Sequence, residues 1–255
     1  STGSTARTNG LWKWDGSNWS MEAGSTSANG AGSYGTKGVS APSNYPSARS
    51  ACSFWGDDDV LYLYGGQGIS SIGAFGYLDQ LWKYDRASGE WTWLSGTGGS
   101  LSVSAAYGES TDNTASVNPG NLRSAILWSN NGTDLFLFGG IRLSPNLANT
   151  FVPTNNLWHW DGSNWAWLKG DQNSSYSNMT AELNADGEFT YSNLPSARAS
   201  AVAWSSDNGF YLWGGLGVNS NGTSNISFND FWIMEEGNAW DGSDWTKGKP
   251  SVGVS

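Results

Sequence analysis

Few residues of this chain could do catalytic chemistry. Its 255 residues include one histidine, His159, and one cysteine, Cys52. A Ser-His-Asp triad would depend on His159, and Cys52 has no cysteine or histidine neighbour that would complete a zinc site. His159 stands where two similar segments of the chain have Lys13 and Lys83, which is typical of an exposed strand position. The sequence therefore predicts a protein that is not an enzyme.

Acidic side chains offer the other candidate chemistry, because carboxylate oxygens are the ligands that Ca²⁺ prefers. The run Asp57–Asp59 is the densest acidic group, and an acidic stretch at 182–188 is looser. The matching segments Asn130–Thr133 and Asp207–Gly209 share the turn residues of that run but not its charge. We therefore expect a plain turn and no cofactor, with a weak Ca²⁺ site as the alternative.

The overall composition argues against two classes of partner. The formal net charge is −10, from 12 Lys and Arg against 22 Asp and Glu, so the chain lacks a basic stripe for the phosphates of nucleic acids. No segment approaches the roughly 18 consecutive apolar residues of a membrane helix. We expect neither nucleic-acid binding nor membrane insertion. The 35 glycines and 17 tryptophans instead indicate many turns around a core of large side chains.

A repeat with a period of about 75 residues organises the chain. Each copy begins at an arginine, runs to a tryptophan, turns, and continues as an aromatic segment that ends in Gly-Gly. A second phrase follows, in which a Leu-Trp or Phe-Trp pair precedes another tryptophan across a turn. The arginines are Arg49, Arg123 and Arg198; the Gly-Gly pairs lie at 65–66, 139–140 and 214–215; the second phrases begin at Leu81, Leu157 and Phe231, with a further copy at Leu11.

Each complete copy predicts four strands. In the first of them, Ser47–Trp55 and Val60–Tyr64 form an inner pair, and Leu81–Tyr84 and Trp91–Leu94 form an outer hairpin. The segment Leu135–Phe138 of the next copy is apolar on both faces, so both faces must be covered. Four-stranded antiparallel blades that stack around an axis meet this requirement. The sequence therefore predicts an all-β fold, a β-propeller.

The repeated phrases resemble the kelch repeat, in which Gly-Gly after an aromatic strand is followed by a Trp/Tyr pair and a further Trp. The segment from Tyr34–Gly38 to Pro46–Arg49 resembles long-period microbial kelch proteins that are described as galactose-oxidase-like. The resemblance spans nearly the whole chain outside its long loops and implies a kelch-type β-propeller. It implies little about activity, because kelch propellers include enzymes, adhesins and adaptors. A copper radical oxidase would need two histidine ligands, and this chain has only His159.

The repeats predict a single domain over residues 1–255 that holds about three and a half blades. An outer half blade covers 1–25, and blades cover 47–95, 121–169 and 195–248. Propellers typically close with about four to eight blades. We therefore expect this chain to be part of a larger propeller, with completion by strands of another chain as the alternative.

The long connections are predicted to lie on one face of the blades. In an antiparallel four-stranded blade, the first–second and third–fourth connections leave from one face, and these are short in every copy. The second–third and blade-to-blade connections leave from the other face, and these are long. Long loops on a rigid scaffold usually carry function. The connections concerned are 67–80, 141–156 and 216–230 within blades, and 22–46, 96–121 and 170–195 between them.

Aromatic residues on these connections are the predicted ligand-binding candidates, because the tryptophans all lie in strand phrases and are expected to pack between blades. Arg49, Arg123 and Arg198 begin the innermost strands and could form a ring that holds a carboxylate or a sulfate. The alternative is that each arginine bonds neighbouring carbonyls or an acidic residue. The aromatic candidates are Tyr34, Tyr45, Phe75, Tyr77, Tyr107, Phe151, Tyr176, Phe189, Tyr191 and Phe228.

We expect a non-enzymatic binding or adhesion module, outside the cell or on its surface, whose long-loop face binds a protein or a glycan. One alternative is a structural subunit that joins copies of itself through an open blade edge. Another is a carbohydrate-active enzyme whose site is completed outside this chain. Six Asn-x-Ser/Thr sequons are compatible with secretion, at Asn18, Asn131, Asn173, Asn178, Asn221 and Asn225.

Overall fold

The protein is built from β-strands wherever the structure describes it. Every regular element in the described ranges is a β-strand, which confirms the all-β prediction. No helix in those ranges is long and apolar enough to cross a membrane. The computed structural model describes residues 6–99, 103–108, 114–129, 132–144, 150–172, 194–206, 209–218, 225–234 and 245–248.

The strands of these ranges are short, between two and six residues. They are β1 (Leu11–Trp14), β2 (Trp19–Ala23), β3 (Arg49–Ser50), β4 (Ser53–Gly56), β5 (Val60–Tyr64), β6 (Gln67–Ile69), β7 (Phe75–Tyr77), β8 (Leu81–Asp85), β9 (Glu90–Ser95), β10 (Ile126–Ser129), β11 (Leu135–Phe138), β12 (Ile141–Leu143), β13 (Phe151–Pro153), β14 (Leu157–Trp160), β15 (Trp165–Lys169), β16 (Val202–Ser206), β17 (Gly209–Trp213), β18 (Leu216–Val218), β19 (Asn225–Ser227), β20 (Phe231–Met234) and β21 (Trp245–Gly248).

Three four-stranded antiparallel sheets form the body of the protein, as the repeats predict. Sheet A has the order β4-β5-β8-β9, sheet B has β10-β11-β14-β15, and sheet C has β16-β17-β20-β21. The strands β1 and β2 pair only with each other among the described residues, and this first hairpin matches the outer hairpin of a sheet. Each sheet thus pairs its strands in chain order, which confirms the predicted four-stranded antiparallel units.

A two-stranded ribbon occupies each connection between the second and third strands of a sheet. Ribbon A pairs β6 with β7, ribbon B pairs β12 with β13, and ribbon C pairs β18 with β19. The sequence analysis treats these connections as loops, because strands of three residues are too short to show an alternating pattern. At the base of each ribbon the same backbone bond recurs, from the N–H of Leu78, Thr154 or Phe228 to the carbonyl of Gly66, Gly140 or Gly215, at 2.9 Å in all three.

The predicted single strand Ser47–Trp55 is in fact two strands that join different sheets. The first, β3, pairs with β6 of ribbon A, and the second, β4, pairs with β5 of sheet A. Between them the chain turns at Ala51, whose φ of 53° lies in the left-handed region. Ser124 and Ser200 have φ values of 54° and 56°. The same positive φ recurs at this pivot, before the first strand of each four-stranded sheet, and non-glycine residues at such φ values are uncommon. In the third repeat the residue before the pivot, Ala199, bridges to Leu216 of ribbon C.

The pivots also correct the alignment of the arginines. Arg49 and Arg198 lie two residues before their pivots, but the residue two before Ser124 is Leu122. Backbone bonds agree, because the carbonyls of Leu122 and Arg198 each accept an N–H at 2.8 Å from the second glycine of a Gly-Gly pair. The predicted equivalence of Arg123 with the other two arginines is therefore wrong. The segment from Arg123 to its tryptophan is one residue shorter than in the other copies, and this spacing is the signal in the sequence.

The chain divides into two compact units, residues 1–103 with 120–123, and residues 104–119 with 124–255. In the first unit the buried core lies on one face of sheet A, where Leu61, Trp82 and Trp91 pack with Leu11 and Ala23 of the first hairpin. In the second unit sheets B and C pack face to face. Each unit therefore contains a junction between successive repeats.

The junction of the second unit brings two aromatic rings into parallel contact. Trp128 of sheet B and Phe210 of sheet C have centroids 3.6 Å apart and an interplanar angle of 11°. Both side chains are fully buried. Buried aromatic pairs of this kind stabilise a fold through their large apolar area and their ring geometry.

Candidate binding surface on the ribbons

Arg49 is a buried residue of the scaffold. Its guanidinium donates from Nη1 to the carbonyl of Gly65 at 2.9 Å, from Nε to the carbonyl of Ser47 at 3.1 Å, and from Nη2 to Oε1 of Gln80 at 3.1 Å. Burial lowers the pKa of Arg49 from its ordinary value. These bonds match the structural alternative, in which the arginine holds neighbouring carbonyls.

Arg198 makes the same contacts in the third repeat and adds an ion pair. Its Nη1 donates to the carbonyl of Gly214 at 2.9 Å, and its Nε donates to the carbonyl of Ser196 at 3.0 Å. The carboxylate of Asp230 accepts from both terminal nitrogens, at 2.6 and 2.9 Å. Asp230 stands where Gln80 stands in the first repeat. Arg198 is fully buried, so no ligand from solvent reaches it in this conformation.

Arg123, by contrast, is half-buried and lies over the ring of Tyr77, with 5.6 Å from its guanidinium carbon to the ring centroid. Leu122 fills the buried position that an arginine fills in the other two repeats. A ring of three equivalent guanidiniums is therefore not formed.

Tyr34 and Tyr107 are anchors that hold the connections between repeats against the sheets. The ring of Tyr34 packs edge-on against Trp82 and Trp93, with centroid distances of 5.0 and 5.4 Å. Tyr107 contacts the equivalent residues of sheet B, Trp158 and Trp167, at 5.2 and 5.7 Å. Although predicted as ligand candidates, these two tyrosines face their own sheets.

The sequence contains a signal for this anchor in the residues that follow each tyrosine. Each tyrosine precedes a glycine with positive φ, Gly35 at 61° and Gly108 at 62°. Arg49 lies 15 positions after Tyr34, and Leu122 lies 15 positions after Tyr107. Burial raises the pKa of Tyr107, whose hydroxyl accepts from Nδ2 of Asn156 at 3.2 Å.

Replacing an anchor tyrosine is expected to destabilise the protein. Tyr34→Ala removes a buried ring that touches two tryptophans, and we expect the free energy of unfolding to fall by about 3 kcal/mol. Tyr45→Ala, in the same connection but exposed, is expected to cost less than about 0.5 kcal/mol. Chemical denaturation of both variants tests this difference. Equal losses at the two positions would contradict the anchor role of Tyr34.

Among the remaining aromatic candidates, Phe75 and Phe151 are the most exposed of those described, at 51% and 46%. Tyr77 is half-buried under Arg123, and Phe228 is half-buried with the guanidinium carbon of Arg198 4.2 Å from its ring centroid. Tyr45 lies in a short bridge to Ser33. Tyr176, Phe189 and Tyr191 lie outside the described residues.

Phe75 and Phe151 occupy the same position on their ribbons. Phe75 pairs with Ile69 across ribbon A, and Phe151 pairs with Leu143 across ribbon B. In both cases the phenylalanine is the first residue of the returning strand. The strand register places Asn225 at this position of ribbon C, paired with Val218. Two of the three ribbons therefore carry an exposed phenylalanine at an equivalent place.

Arg7 fixes the surroundings of Phe75. The guanidinium carbon of Arg7 lies 4.6 Å from the centroid of the Phe75 ring, and Nε of Arg7 donates to Oγ of Ser50 at 2.9 Å. A cation over an aromatic face is attracted by the electrons of the ring. Ile72, at the tip of the ribbon, is highly exposed. The exposed ring is thus held by a well-defined contact on one side and is open to solvent on the other.

His159 and Cys52 occupy structural positions. His159 is half-buried rather than exposed as predicted, because its ring stacks on Phe136 with 4.8 Å between centroids. Its Nε2 lies 3.5 Å from Oδ1 of Asp134. Burial raises the pKa of the Cys52 thiol, which disfavours the reactive thiolate. Within the described ranges, neither residue is hydrogen-bonded to a serine or threonine hydroxyl as a catalytic triad would require.

The acidic run at 57–59 forms a turn. Oδ1 of Asp57 accepts the backbone N–H groups of Asp59 and Val60, at 2.9 and 2.8 Å. Elsewhere Asp79 is buried, and burial raises its pKa. The hydrogen bonds that Asp79 accepts from Thr97 and Gln80 lower the pKa, but by less. No group of three His, Cys, Asp or Glu that could hold a metal ion occurs among the described residues. The acidic stretch at 182–188 lies outside them.

The sequons are only partly described. Asn18 is exposed in the turn between β1 and β2, where Oδ1 of Asp15 accepts its backbone N–H at 2.7 Å. Asn225 begins β19. Asn131, Asn173, Asn178 and Asn221 lie outside the described residues.

Several tryptophans are exposed, which the sequence analysis did not anticipate because it assigned every tryptophan to packing between blades. The fully buried ones include Trp82, Trp128, Trp158, Trp165 and Trp232, but those of the first hairpin and two of sheet C face solvent. The exposed tryptophans are Trp12, Trp14, Trp19, Trp204 and Trp213.

No family model matches this chain, and no curated protein matches it in sequence. Among solved structures, it is similar to that of YjhT, with 12% sequence identity and a TM-score of 0.49. The alignment covers 98% of this chain and 67% of the YjhT chain. The identity is too low to transfer the role of any residue from one chain to the other.

Proposed function

We propose that this protein is a non-enzymatic binding module that acts outside the cell or on its surface, and that ribbon A and ribbon B each provide a surface for partner binding. The observation that carries this proposal is the pair of equivalent, exposed phenylalanines, Phe75 and Phe151, on ribbons held by a repeated scaffold. We also propose that sheets A, B and C are blades of a kelch-type β-propeller. The repeated Gly-Gly pairs and the packing of sheet B on sheet C support that assignment.

The chemistry of the ribbons favours a protein partner with an apolar surface. Phe151 pairs with exposed Leu143, and exposed Ile72 lies three residues before Phe75. Exposed aromatic and aliphatic side chains gain free energy when a partner removes them from water. A glycan partner would also use polar groups beside the ring, and the guanidinium of Arg7 lies beside the ring of Phe75.

The double variant Phe75→Ala/Phe151→Ala tests the proposal. Its probes are an array of random peptides and an array of oligosaccharides, both screened first with the wild-type protein. We expect the peptide array to give binders whose affinity falls at least about tenfold in the double variant, since each lost aromatic contact contributes about 1 kcal/mol or more. The melting temperature should stay within a few degrees of the wild type, because both rings are exposed.

Phe54→Ala is the matched control. Phe54 is 48% exposed, as much as the two ribbon residues, but it lies on β4 of sheet A. Its loss should leave binding unchanged. If neither array gives a binder, or if Phe54→Ala weakens binding as much as the double variant does, the ribbons are not the binding surface. If only oligosaccharides bind, the ribbons remain the proposed binding surface, but the partner is a glycan and not a protein.

A further inference from the structure

A second kind of exposed apolar surface lies away from the ribbons, on sheet C. Val202 and Trp204 of β16 pair across the strand with Trp213 and Tyr211 of β17, so the four side chains share one face. Trp204 stacks on Tyr211 with 5.4 Å between centroids and an interplanar angle of 11°. We call these four residues the C face. Trp204 is 44% exposed and Trp213 is 55% exposed.

The first hairpin carries the other surface of this kind. Trp12 pairs with Met21 and Trp14 pairs with Trp19, which places these four side chains on one face of β1 and β2. We call them the hairpin face. Trp19 is 64% exposed, and the other three residues are also exposed. Contiguous apolar surface of this kind is unusual in a soluble protein and commonly marks an interface.

The junction between sheets B and C shows what covers a surface like the C face. Trp128 pairs with Phe136 in sheet B in the register in which Trp204 pairs with Tyr211 in sheet C. Trp128 is 1% exposed, because Phe210 from the opposite face of sheet C stacks on it. In a junction between successive repeats, we call the face of the earlier sheet the forward half and the face of the later sheet that covers it the receiving half. The C face corresponds to a forward half.

The hairpin face corresponds to the receiving half of such a junction. Trp14 and Trp19 match Tyr84 and Trp91 of sheet A, which pair in the same register and are 4% exposed each. In sheet A, this face is covered by Leu11 and its neighbours from the preceding hairpin. Among the described residues, the C face is thus an exposed forward half and the hairpin face is an exposed receiving half.

We propose that the C face of one molecule binds the hairpin face of a second copy of the same chain, head to tail. A second copy is the partner because the junctions inside each unit pair the same two kinds of surface. In each junction, a forward half packs on the receiving half of the next repeat. Both halves belong to the same sequence, so a second copy supplies the complementary surface of each. Their tryptophans and tyrosine are the residue types that dominate binding energy at interfaces. Because the two surfaces differ, the contact is heterologous, and the rotation between successive copies decides whether it closes a ring of two or more copies or extends into open chains.

Two single variants test the head-to-tail contact. Trp204→Lys disables the C face, and Trp19→Lys disables the hairpin face; both residues are exposed, so each variant should keep the wild-type melting temperature. In sedimentation velocity from micromolar to millimolar protein, the wild type should form species that grow with concentration. Each variant alone should remain a monomer. An equal mixture of the two should form a one-to-one dimer and nothing larger, because one intact C face and one intact hairpin face remain.

The control is Ile72→Lys, which changes a 74% exposed apolar residue at the tip of ribbon A and should leave self-association as in the wild type. A wild type that remains a monomer throughout the concentration range would overturn the proposal. So would a mixture that contains monomers only, or a single variant that still assembles as the wild type does. Phe75→Ala/Phe151→Ala should also assemble normally, so the two proposals can fail separately.

Discussion

Asp230→Ala is expected to lower the free energy of unfolding by about 3 to 5 kcal/mol, which is the usual cost of removing one partner of a buried ion pair. The carboxylate of Asp230 accepts two bonds from Arg198, and it also accepts from Nε1 of Trp232 at 2.7 Å. Without it, the guanidinium of a fully buried arginine keeps its charge and loses its counter-ion. Urea denaturation measures the loss directly.

The other repeats supply the controls for this prediction. In the first repeat a neutral amide, Gln80, accepts a bond from Arg49 at the same place, so Asp230→Gln should cost clearly less than Asp230→Ala. The second repeat has Leu122 and Asn156 at the positions of the arginine and its partner. We therefore expect the double variant Arg198→Leu/Asp230→Asn to be more stable than Asp230→Ala. If Asp230→Ala unfolds at the same urea concentration as Asp230→Gln, the ion pair does not stabilise the third repeat.

Gly139→Ala should destabilise the protein by at least about 3 kcal/mol, as expected for a severe backbone clash. The φ of Gly139 is 67°, and a Cβ atom at this position would lie 2.4 Å from the carbonyl oxygen of Arg198. Two costs add here, because alanine is disfavoured at positive φ and the contact is with backbone that a side-chain rotation cannot relieve.

Gly162→Ala separates these two costs. Gly162 has a φ of 94°, and a Cβ atom there would meet nothing within 4 Å. Its replacement should cost only the penalty for positive φ, about 1 to 2 kcal/mol. Thermal melts of the two variants should therefore show a clearly larger loss for Gly139→Ala. Equal losses would mean that the chain relaxes freely around Gly139.

The fold followed from the sequence where a repeat fixed several features at once. Gly-Gly pairs, apolar strands and Asp-Gly turns recur at matched positions, and together they predicted three antiparallel four-stranded sheets and a separate first hairpin. The ribbons did not follow, since each of their strands has only three residues and pairs inside a connection. The pivot at Ala51 also escaped prediction, because alanine and serine carry no preference for positive φ that would reveal it.

The candidate site was predicted less well than the fold. Residue type alone placed Tyr34 and Phe75 in one group, although one packs on tryptophans and the other faces solvent. The burial of an aromatic side chain on a connection depends on which sheet the connection packs against. The type of that residue does not predict this packing. The predicted alignment of Arg123 with Arg49 and Arg198 is wrong because it follows residue type. It does not take account of the one-residue difference in the spacing to the next tryptophan. The exposure of several tryptophans is not predicted for a related reason, since a repeat pattern gives the position of each tryptophan on its strand but not whether another sheet covers it.

The recurring bond at the base of the ribbons has a consequence for how this scaffold varies. The strands of ribbons A, B and C are joined by 70–74, 144–150 and 219–224, segments of unequal length, yet each ribbon closes on the same 2.9 Å backbone bond. Each ribbon is thus a cassette, a segment whose base is fixed by this bond and whose tip differs in length and sequence between repeats. Exchange of a cassette between repeats, or insertion of a foreign peptide at its tip, should therefore alter recognition while the sheet beneath keeps its register.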